Sequence, residues 1–245
     1  MNKTKKSNTY QKDHQLFKAA PLFKPISKGE RTSQRRRKKI KQKGYKDNEK
    51  MIVFDLSGTL IEEVHTIRNV LHPLTKERGL NLNYEEVRGL YELYKKGNID
   101  ETTFNKLIPK EIEAEFLDKL KILKSSIDTV RYLKKKGYVL GILSNIPSKW
   151  GHYLISKFRL KKLFDHVVFS GDYKLIKPDK RLYFILLNKA RMLPQSCYYI
   201  DDKIENLETA KDLSFNTIYI KREETHEPFS PQYQISKISD LKRVF

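Results

Sequence analysis

The chain has 245 residues, of which 38% are hydrophobic and 11% aromatic, enough for one substantial core with a small accessory module. No stretch approaches the roughly 18 consecutive apolar residues of a membrane helix, and no signal-peptide segment opens the chain, so we expect a cytoplasmic protein without membrane association. Its single cysteine, Cys197, excludes an internal disulfide and agrees with a reducing compartment.

The formal net charge of +20 is concentrated in residues 1–50, which contain 17 Lys or Arg and 4 acidic residues. The block Arg35–Lys39 lies among Pro and Gly residues and shows no apolar periodicity, so we predict a basic, disordered N-terminal arm. Residues 31–46 are a candidate contact for nucleic-acid phosphates. A solvated extension, or a nuclear or organellar targeting signal, explains the same charge, because no zinc spacing or aromatic interleaving accompanies it.

From Met51 onward, short apolar and β-branched segments alternate with segments of helical spacing such as 127–136. The predicted strands are residues 51–54, 138–143, 166–169, 198–200 and 216–220. This alternation predicts an α/β fold with a Rossmann-like parallel sheet covered by helices on both faces. Ligands of such sheets bind outside the carboxyl ends of the strands. The polar residues that end these strands are therefore the first candidates for a site: Asp55, Ser144, Asn145, Asp201 and Asp202.

Four short motifs occur at these strand ends and in one loop: Asp55–Thr59, Gly141–Asn145, Lys177–Asp179, and Ile200–Asp202 followed by Asn206 and Ala210. In order and separation they resemble the four motifs of the haloacid dehalogenase-like superfamily. The resemblance covers residues 51 to about 220. It implies a hydrolase that acts on a small phosphorylated metabolite.

The resemblance also implies a magnesium site and a covalent intermediate. Asp55 would attack phosphorus and form an aspartyl-phosphate. Asp55, the main-chain carbonyl of Ser57 and Asp202 would bind Mg²⁺, with Asp201 as a further ligand or as a support behind the ligands. Two adjacent carboxylates at the end of an apolar strand repel each other unless a cation lies nearby, which favours this interpretation.

The remaining motif residues would bind the phosphoryl group. Ser144 would donate a hydrogen bond to a phosphoryl oxygen, with Asn145 beside it, and Lys177 would place a cation against the nucleophile and the transferring group. Each residue taken alone has a simpler interpretation: Asp55 as a turn residue, Ser144 as a helix cap and Lys177 as a surface lysine. The four motifs together favour the functional interpretation.

Ser57 departs from the phosphatase pattern, because most phosphatases of the superfamily have Asp two residues after the nucleophile, as the general acid and base. A serine hydroxyl performs neither role well at neutral pH, and losing such catalysis costs roughly 10²–10⁴-fold in rate. Dehalogenases, phosphonatases and ion-pumping ATPases of the superfamily also have a non-acidic residue here. Dehalogenases lack Mg²⁺ and the acidic fourth motif, so the pair Asp201 and Asp202 argues against dehalogenation.

Helical segments at 85–96, 101–108 and 112–123 separate the first two motifs. By resemblance they form a small α-helical cap over the pocket, residues 63–124, inserted after the first strand into a catalytic core of residues 51–62 and 125–245. The stretch Tyr94–Asp100 resembles a turn between cap helices, although a plain helix-ending turn at Gly97 explains it equally well.

Two classes of function remain compatible with the sequence. The first is a Mg²⁺-dependent phosphatase or phosphotransferase for a small phosphorylated substrate. The second is a catalytically weak or inactive relative that serves as a binding or scaffold protein, tethered to nucleic acid by the arm; Ser57 favours this second class. The sequence does not define the substrate or the oligomeric state.

Overall fold

The structure is a computed structural model that describes residues 49–61, 63–222 and 229–245. Six strands in this part of the chain form one sheet in which every pairing is parallel, in the order β3-β2-β1-β4-β5-β6. The strands are β1 (Met51–Phe54), β2 (Val139–Ser144), β3 (His166–Phe169), β4 (Cys197–Asp201), β5 (Asn216–Ile220) and β6 (Tyr233–Ile235). The predicted parallel α/β fold is confirmed.

Ten α-helices accompany the sheet in the described residues. They are α1 (His72–Glu77), α2 (Tyr84–Lys95), α3 (Glu101–Asn105), α4 (Lys110–Lys119), α5 (Lys124–Lys135), α6 (Ser148–Lys157), α7 (Ser170–Tyr173), α8 (Lys180–Ala190), α9 (Ile204–Asp212) and α10 (Leu241–Val244). A π-helical turn, Ile67–Leu71, leads directly into α1. None of the described helices is both long enough and apolar enough to cross a bilayer.

The central strand β1 is buried on both faces because its four residues are all apolar. Successive side chains of a strand point to opposite faces, and the core accordingly has two parts. Ile52 and Phe54 belong to a large apolar cluster on one face, whereas Met51 and Val53 belong to a second cluster on the other face. Helices cover both clusters, which confirms the predicted layering.

The helical segment between β1 and β2 packs against the rest of the fold through aromatic rings. Trp150 of α6 lies at the centre, with ring centroids 5.7 Å from Tyr94, 5.7 Å from Phe104 and 4.9 Å from Phe116. Its indole nitrogen also donates a hydrogen bond to the buried Glu113 carboxylate of α4. The rings of three helices therefore meet on one tryptophan, which fixes this segment against α6.

The predicted turn after α2 is present, and it contacts the core. Gly97 has φ +68°, and a Cβ atom there would lie 3.0 Å from the carbonyl oxygen of Gly171. The Ser170 hydroxyl donates a hydrogen bond to the carbonyl of Lys95 at the end of α2. The turn thus needs glycine both for its conformation and for its close approach to the segment that follows β3. The predicted N-terminal arm lies outside the described residues.

Candidate active site

The site lies at the carboxyl ends of the three central strands. Strand β1 pairs with β2 on one side and β4 on the other, with Phe54 opposite both Ile142 and Ile200. The residues just beyond these positions therefore meet at one edge of the sheet, where Asp55, Ser144 and Asp201 are found.

A cavity of about 180 Å³ opens at this edge. It is lined by six of the seven predicted site residues: Asp55, Ser57, Ser144, Asn145, Lys177 and Asp202. The seventh, Asp201, lies behind them and is fully buried. Residues from the π-helical turn, from α2 and from the start of α9 complete the lining.

Lys177 is a buried ion-pair partner, so its interpretation as a surface lysine is wrong; only 3% of the residue is exposed. Its Nζ donates to Asp55 Oδ1 at 2.8 Å, to Asp201 Oδ2 at 2.8 Å and to the Tyr199 hydroxyl at 2.9 Å. The Asn145 side chain accepts a hydrogen bond from the Lys177 backbone nitrogen at 2.8 Å and donates one to its carbonyl at 3.0 Å. Asn145 therefore positions the lysine loop from the end of β2.

Asp201 is held by four hydrogen bonds from protein groups. Besides Lys177, the Tyr199 hydroxyl, the Asn206 amide at 3.0 Å and the Lys203 backbone nitrogen at 2.9 Å donate to its two oxygens. Oδ2 accepts three of these four hydrogen bonds, and Oδ1 accepts the one from the Lys203 backbone. This arrangement favours Asp201 as a support for Lys177 over a role as a metal ligand.

Asp202 differs from its neighbour, because its Oδ1 is buried and has no hydrogen-bond partner among the described residues. The turn after Asp55 lies directly against this carboxylate: Gly58 has φ +75°, and a Cβ atom there would lie only 2.4 Å from Asp202 Oδ2. Glycine is thus required at this position for both conformation and space. Ligand oxygens of Asp55, Asp201 and Asp202 all lie within 4.8 Å of one another.

Negative charge dominates the electrostatics of the cluster. Burial raises the pKa of Asp55, an effect that Lys177 opposes. Burial, with the nearby Asp201 and Asp55, raises the pKa of Asp202 to about 8. Burial alone would lower the pKa of Lys177, but its two carboxylate partners outweigh burial and raise it. A divalent cation would remove the remaining repulsion and hold the carboxylates ionised.

Two hydroxyl groups reach the same cavity. Ser144 is 1% exposed, and its hydroxyl has no hydrogen-bond partner among the described residues. The hydroxyl is nevertheless near enough to Asp55 to lower the pKa of that carboxyl. Ser144 is not a helix cap, because α6 begins at Ser148 with Pro147 as its N-cap. Ser57 also lines the cavity. Because it is a serine, the position two residues after the candidate nucleophile Asp55 offers no carboxylate.

Sequence reasoning missed two residues that hold the site together. Tyr199 joins Lys177 and Asp201; it lies two residues before Asp201 in β4, a spacing that places both side chains on the same face of the sheet. Arg222, just beyond β5, donates to the carbonyls of Gly58 at 2.7 Å and Thr59 at 3.0 Å. Strand alternation could have indicated Tyr199, whereas no local signal indicated Arg222.

Comparison with known proteins places this geometry in a family. A family model described as haloacid dehalogenase-like hydrolase matches residues 52–220. The chain is 22% identical over 212 residues to a phosphoglycolate phosphatase of Pseudomonas putida, covering 80% of this chain and 78% of that protein. It is 26% identical over 117 residues to an (S)-2-haloacid dehalogenase of Burkholderia cepacia, covering 46% of this chain and 51% of that protein.

Solved structures share the fold. The wild-type form of an enzyme of this family from Bacteroides thetaiotaomicron, crystallised with magnesium and inorganic phosphate, matches with a TM-score of 0.62 and 23% identity. The match covers 73% of this chain and 97% of that one.

Proposed function

The chain belongs to the haloacid dehalogenase-like hydrolase family, and from that premise we propose that it is a Mg²⁺-dependent phosphatase for a small phosphorylated metabolite. One observation carries the proposal. The Asp55 carboxylate, the buried Lys177 and two buried oxygens that have no hydrogen-bond partner in the described part of the chain, Ser144 Oγ and Asp202 Oδ1, all belong to residues that line one cavity. Unpartnered buried oxygens are costly unless a ligand completes them.

The donor set fits magnesium. Hard divalent cations prefer carboxylate and carbonyl oxygens, and Asp55, Asp202 and the main-chain carbonyl of Ser57 would hold Mg²⁺, with Asp201 behind them. When bound, the ion would neutralise the repulsion between the carboxylates and the phosphoryl oxygens.

The residues of the chain would then transfer the phosphoryl group in two displacements. A carboxylate oxygen of Asp55 attacks phosphorus, the bond from phosphorus to the ester oxygen breaks, and an aspartyl-phosphate remains. Water attacks that phosphorus, which returns Asp55 and releases phosphate. Lys177 balances the charge that develops on the equatorial oxygens, and Ser144 donates to one of them. Because Ser57 offers no carboxylic acid, the departing oxygen would take its proton from solvent water, and the water that attacks the aspartyl-phosphate would release its proton to solvent.

The helical segment from the π-helical turn to α4 would serve as the cap predicted for residues 63–124. The π-helical turn and α2 both line the cavity that contains Asp55, which supports this role. A lid at this position excludes water from the reacting groups and contacts the leaving group. A cytoplasmic location stays a prediction.

Dehalogenation and scaffolding are the alternatives. Asp202 and its unpartnered oxygen favour metal-dependent phosphoryl chemistry over dehalogenation. Ser57 is the observation that favours a catalytically weak or inactive protein. A nucleic-acid tether through residues 31–46 falls outside the described residues and stays a prediction.

The direct test is phosphate release from a panel of small phosphomonoesters, with and without Mg²⁺. We expect Mg²⁺-dependent release by the wild type and none above background by Asp55→Asn, which keeps the shape of the side chain but loses the nucleophilic oxygen anion. Release that is equal in both proteins would show that Asp55 is not the nucleophile. No release from any substrate would favour the scaffold alternative.

Magnesium should also raise the melting temperature, because a ligand that binds only the folded state stabilises it by mass action. We expect an increase of several degrees at saturating Mg²⁺, measured by calorimetry, since roughly 1 kcal/mol moves the midpoint of a chain of this size by about 2–4 °C. Asp202→Asn should abolish the shift. The matched control is Asp212→Asn, an exposed aspartate of α9 that should leave the shift unchanged. An identical shift in Asp202→Asn would contradict the metal site.

A further inference from the structure

One face of helix α2 forms part of the cavity wall. Tyr84, Arg88, Tyr91, Glu92 and Lys95 all line the cavity, and their spacing of three to four residues places them on the same side of the helix. This face is polar and charged at a position where a helix that only closed a core would be apolar.

Basic side chains also line the cavity that contains the acidic cluster. Apart from Lys177, the basic residues that line the cavity are Arg68, Arg88, Lys95 and Lys203. On α2, one acidic residue of the lining, Glu92, lies between Arg88 and Lys95 in the sequence. The basic residues come from three separate elements, the π-helical turn, α2 and the start of α9, so the positive charge converges on the cavity and does not run along a single helix.

Lys95 is largely buried, with a second lysine, Lys203, close enough to affect its charge. The Lys95 side chain is 12% exposed and pairs with Glu92. Burial lowers the pKa of Lys95, Glu92 opposes this, and the nearby positive charge of Lys203 adds to the lowering. An anion bound between these lysines would relieve their repulsion.

The arginine contacts leave both guanidinium groups able to bind a ligand. Arg88 pairs with Glu85 at 2.9 Å, but both side chains are more than half exposed, and such pairs contribute little stability and exchange readily. Arg68 is exposed and lies over the ring of Tyr84, 5.7 Å from its centroid. Arginine in such a setting is suited to a carboxylate or a phosphate, which it binds through two parallel hydrogen bonds.

We propose that the substrate carries a second anionic group, a carboxylate or a phosphate, on its leaving group, and that Arg88, Lys95 and Lys203 bind it. The inference rests on the proposed function, which places the transferring phosphoryl group against Asp55 and Lys177. The side chains of the α2 face line the same cavity as Asp55 and Lys177, so they share it with the leaving group of a substrate bound there.

Matched substrates test the proposal. Ethyl phosphate has a neutral leaving group, carboxymethyl phosphate has a carboxylate at the corresponding position, and 2-aminoethyl phosphate has a cation. We expect kcat/KM to be at least about tenfold higher for carboxymethyl phosphate than for ethyl phosphate, because one charge-assisted hydrogen bond is worth about that factor. We expect the lowest kcat/KM for 2-aminoethyl phosphate, since its cation would be repelled. Ethane-1,2-diyl bisphosphate distinguishes phosphate from carboxylate as the preferred second anion.

Two substitutions on α2 with opposite expected effects test whether this substrate preference comes from the charged face of that helix. Arg88→Gln should reduce the ratio of kcat/KM for carboxymethyl phosphate over ethyl phosphate several-fold, whereas Glu92→Gln should increase it because Lys95 loses its partner. Arg131→Gln is the matched control: Arg131 is also exposed and also pairs with an acid three residues earlier, but on α5 and away from the cavity. It should leave the ratio unchanged.

The two proposals fail in different ways. Equal kcat/KM for the neutral and anionic substrates, with Mg²⁺-dependent release from both, would overturn this inference and leave the phosphatase intact. If no substrate is turned over, calorimetric binding to Asp55→Asn still decides: tighter binding of carboxymethyl phosphate than of ethyl phosphate supports the second-anion site, and equal affinity overturns it.

Discussion

Lys177→Met is expected to lower the free energy of unfolding by about 3–5 kcal/mol and to abolish phosphate release. Methionine fills a similar volume but removes the cation that lies between Asp55 and Asp201. Two buried carboxylates and the Tyr199 hydroxyl would then face one another without it, and each would lose a hydrogen bond of 2.8–2.9 Å. Breaking one partner out of a buried ion pair costs more than the pair itself contributes, since the remaining charges stay buried.

Chemical denaturation of the wild type and the variant measures this loss directly. Lys180→Met serves as the control, because Lys180 pairs with Asp212 at 3.1 Å on the surface, with half or more of each side chain exposed. Removal of such a pair changes stability by about 1 kcal/mol or less. If Lys177→Met were as mild as its control, the buried carboxylates would not both be ionised, and the charge arrangement described above would be wrong.

The sequence predicted the sheet well because its strands are short apolar segments that end in polar residues. Five strands were located to within one or two residues, including β1 and β4, whose carboxyl ends carry Asp55 and the aspartate pair. Strand β6 was missed: it has three residues, and Tyr233 and Gln234 are exposed, so it shows neither the length nor the burial of its neighbours. The π-helical turn before α1 likewise has no recognisable sequence pattern.

The site was predicted as a set of residues but not as a network of contacts. A motif identifies Lys177 and Asp201 separately, yet it does not show that one lysine bridges two carboxylates or that Asp201 uses its oxygens on protein donors. The Arg222 contact with the turn at Gly58 spans 164 positions of the chain, and local patterns carry no information about such a contact. Local patterns likewise did not identify the charged residues of α2 that line the cavity, because the fold alone brings that helix to the carboxyl ends of the strands.

Ser57 raises a separate question, which is whether the proton supply or the arrangement of the other groups limits the reaction. Ser57 lines the cavity beside Asp55, so an aspartate introduced there would lie among the groups that contact substrate. It would add a fourth carboxylate to a cavity whose lining already contains Asp55, Glu92 and Asp202, and bound Mg²⁺ would have to offset the added repulsion beside Asp55 and Asp202. The variant should therefore be assayed at saturating Mg²⁺, with its melting temperature recorded.

Ser57→Asp is expected to raise the rate of phosphate release from alkyl phosphates by about 10²–10⁴-fold, because a positioned carboxylic acid protonates the leaving oxygen and then activates water. With 4-nitrophenyl phosphate, whose leaving group needs no proton, the gain should be much smaller. Ser57→Asn is the control, since it has the same shape without a transferable proton and should give no gain. No gain with either leaving group would mean that Ser57 is not the limiting deficit and that another residue already supplies the proton; His65, which lines the same cavity, would then be the next residue to replace. Inactivity of wild type and variant on every substrate would instead locate the deficit in substrate positioning and favour the scaffold alternative.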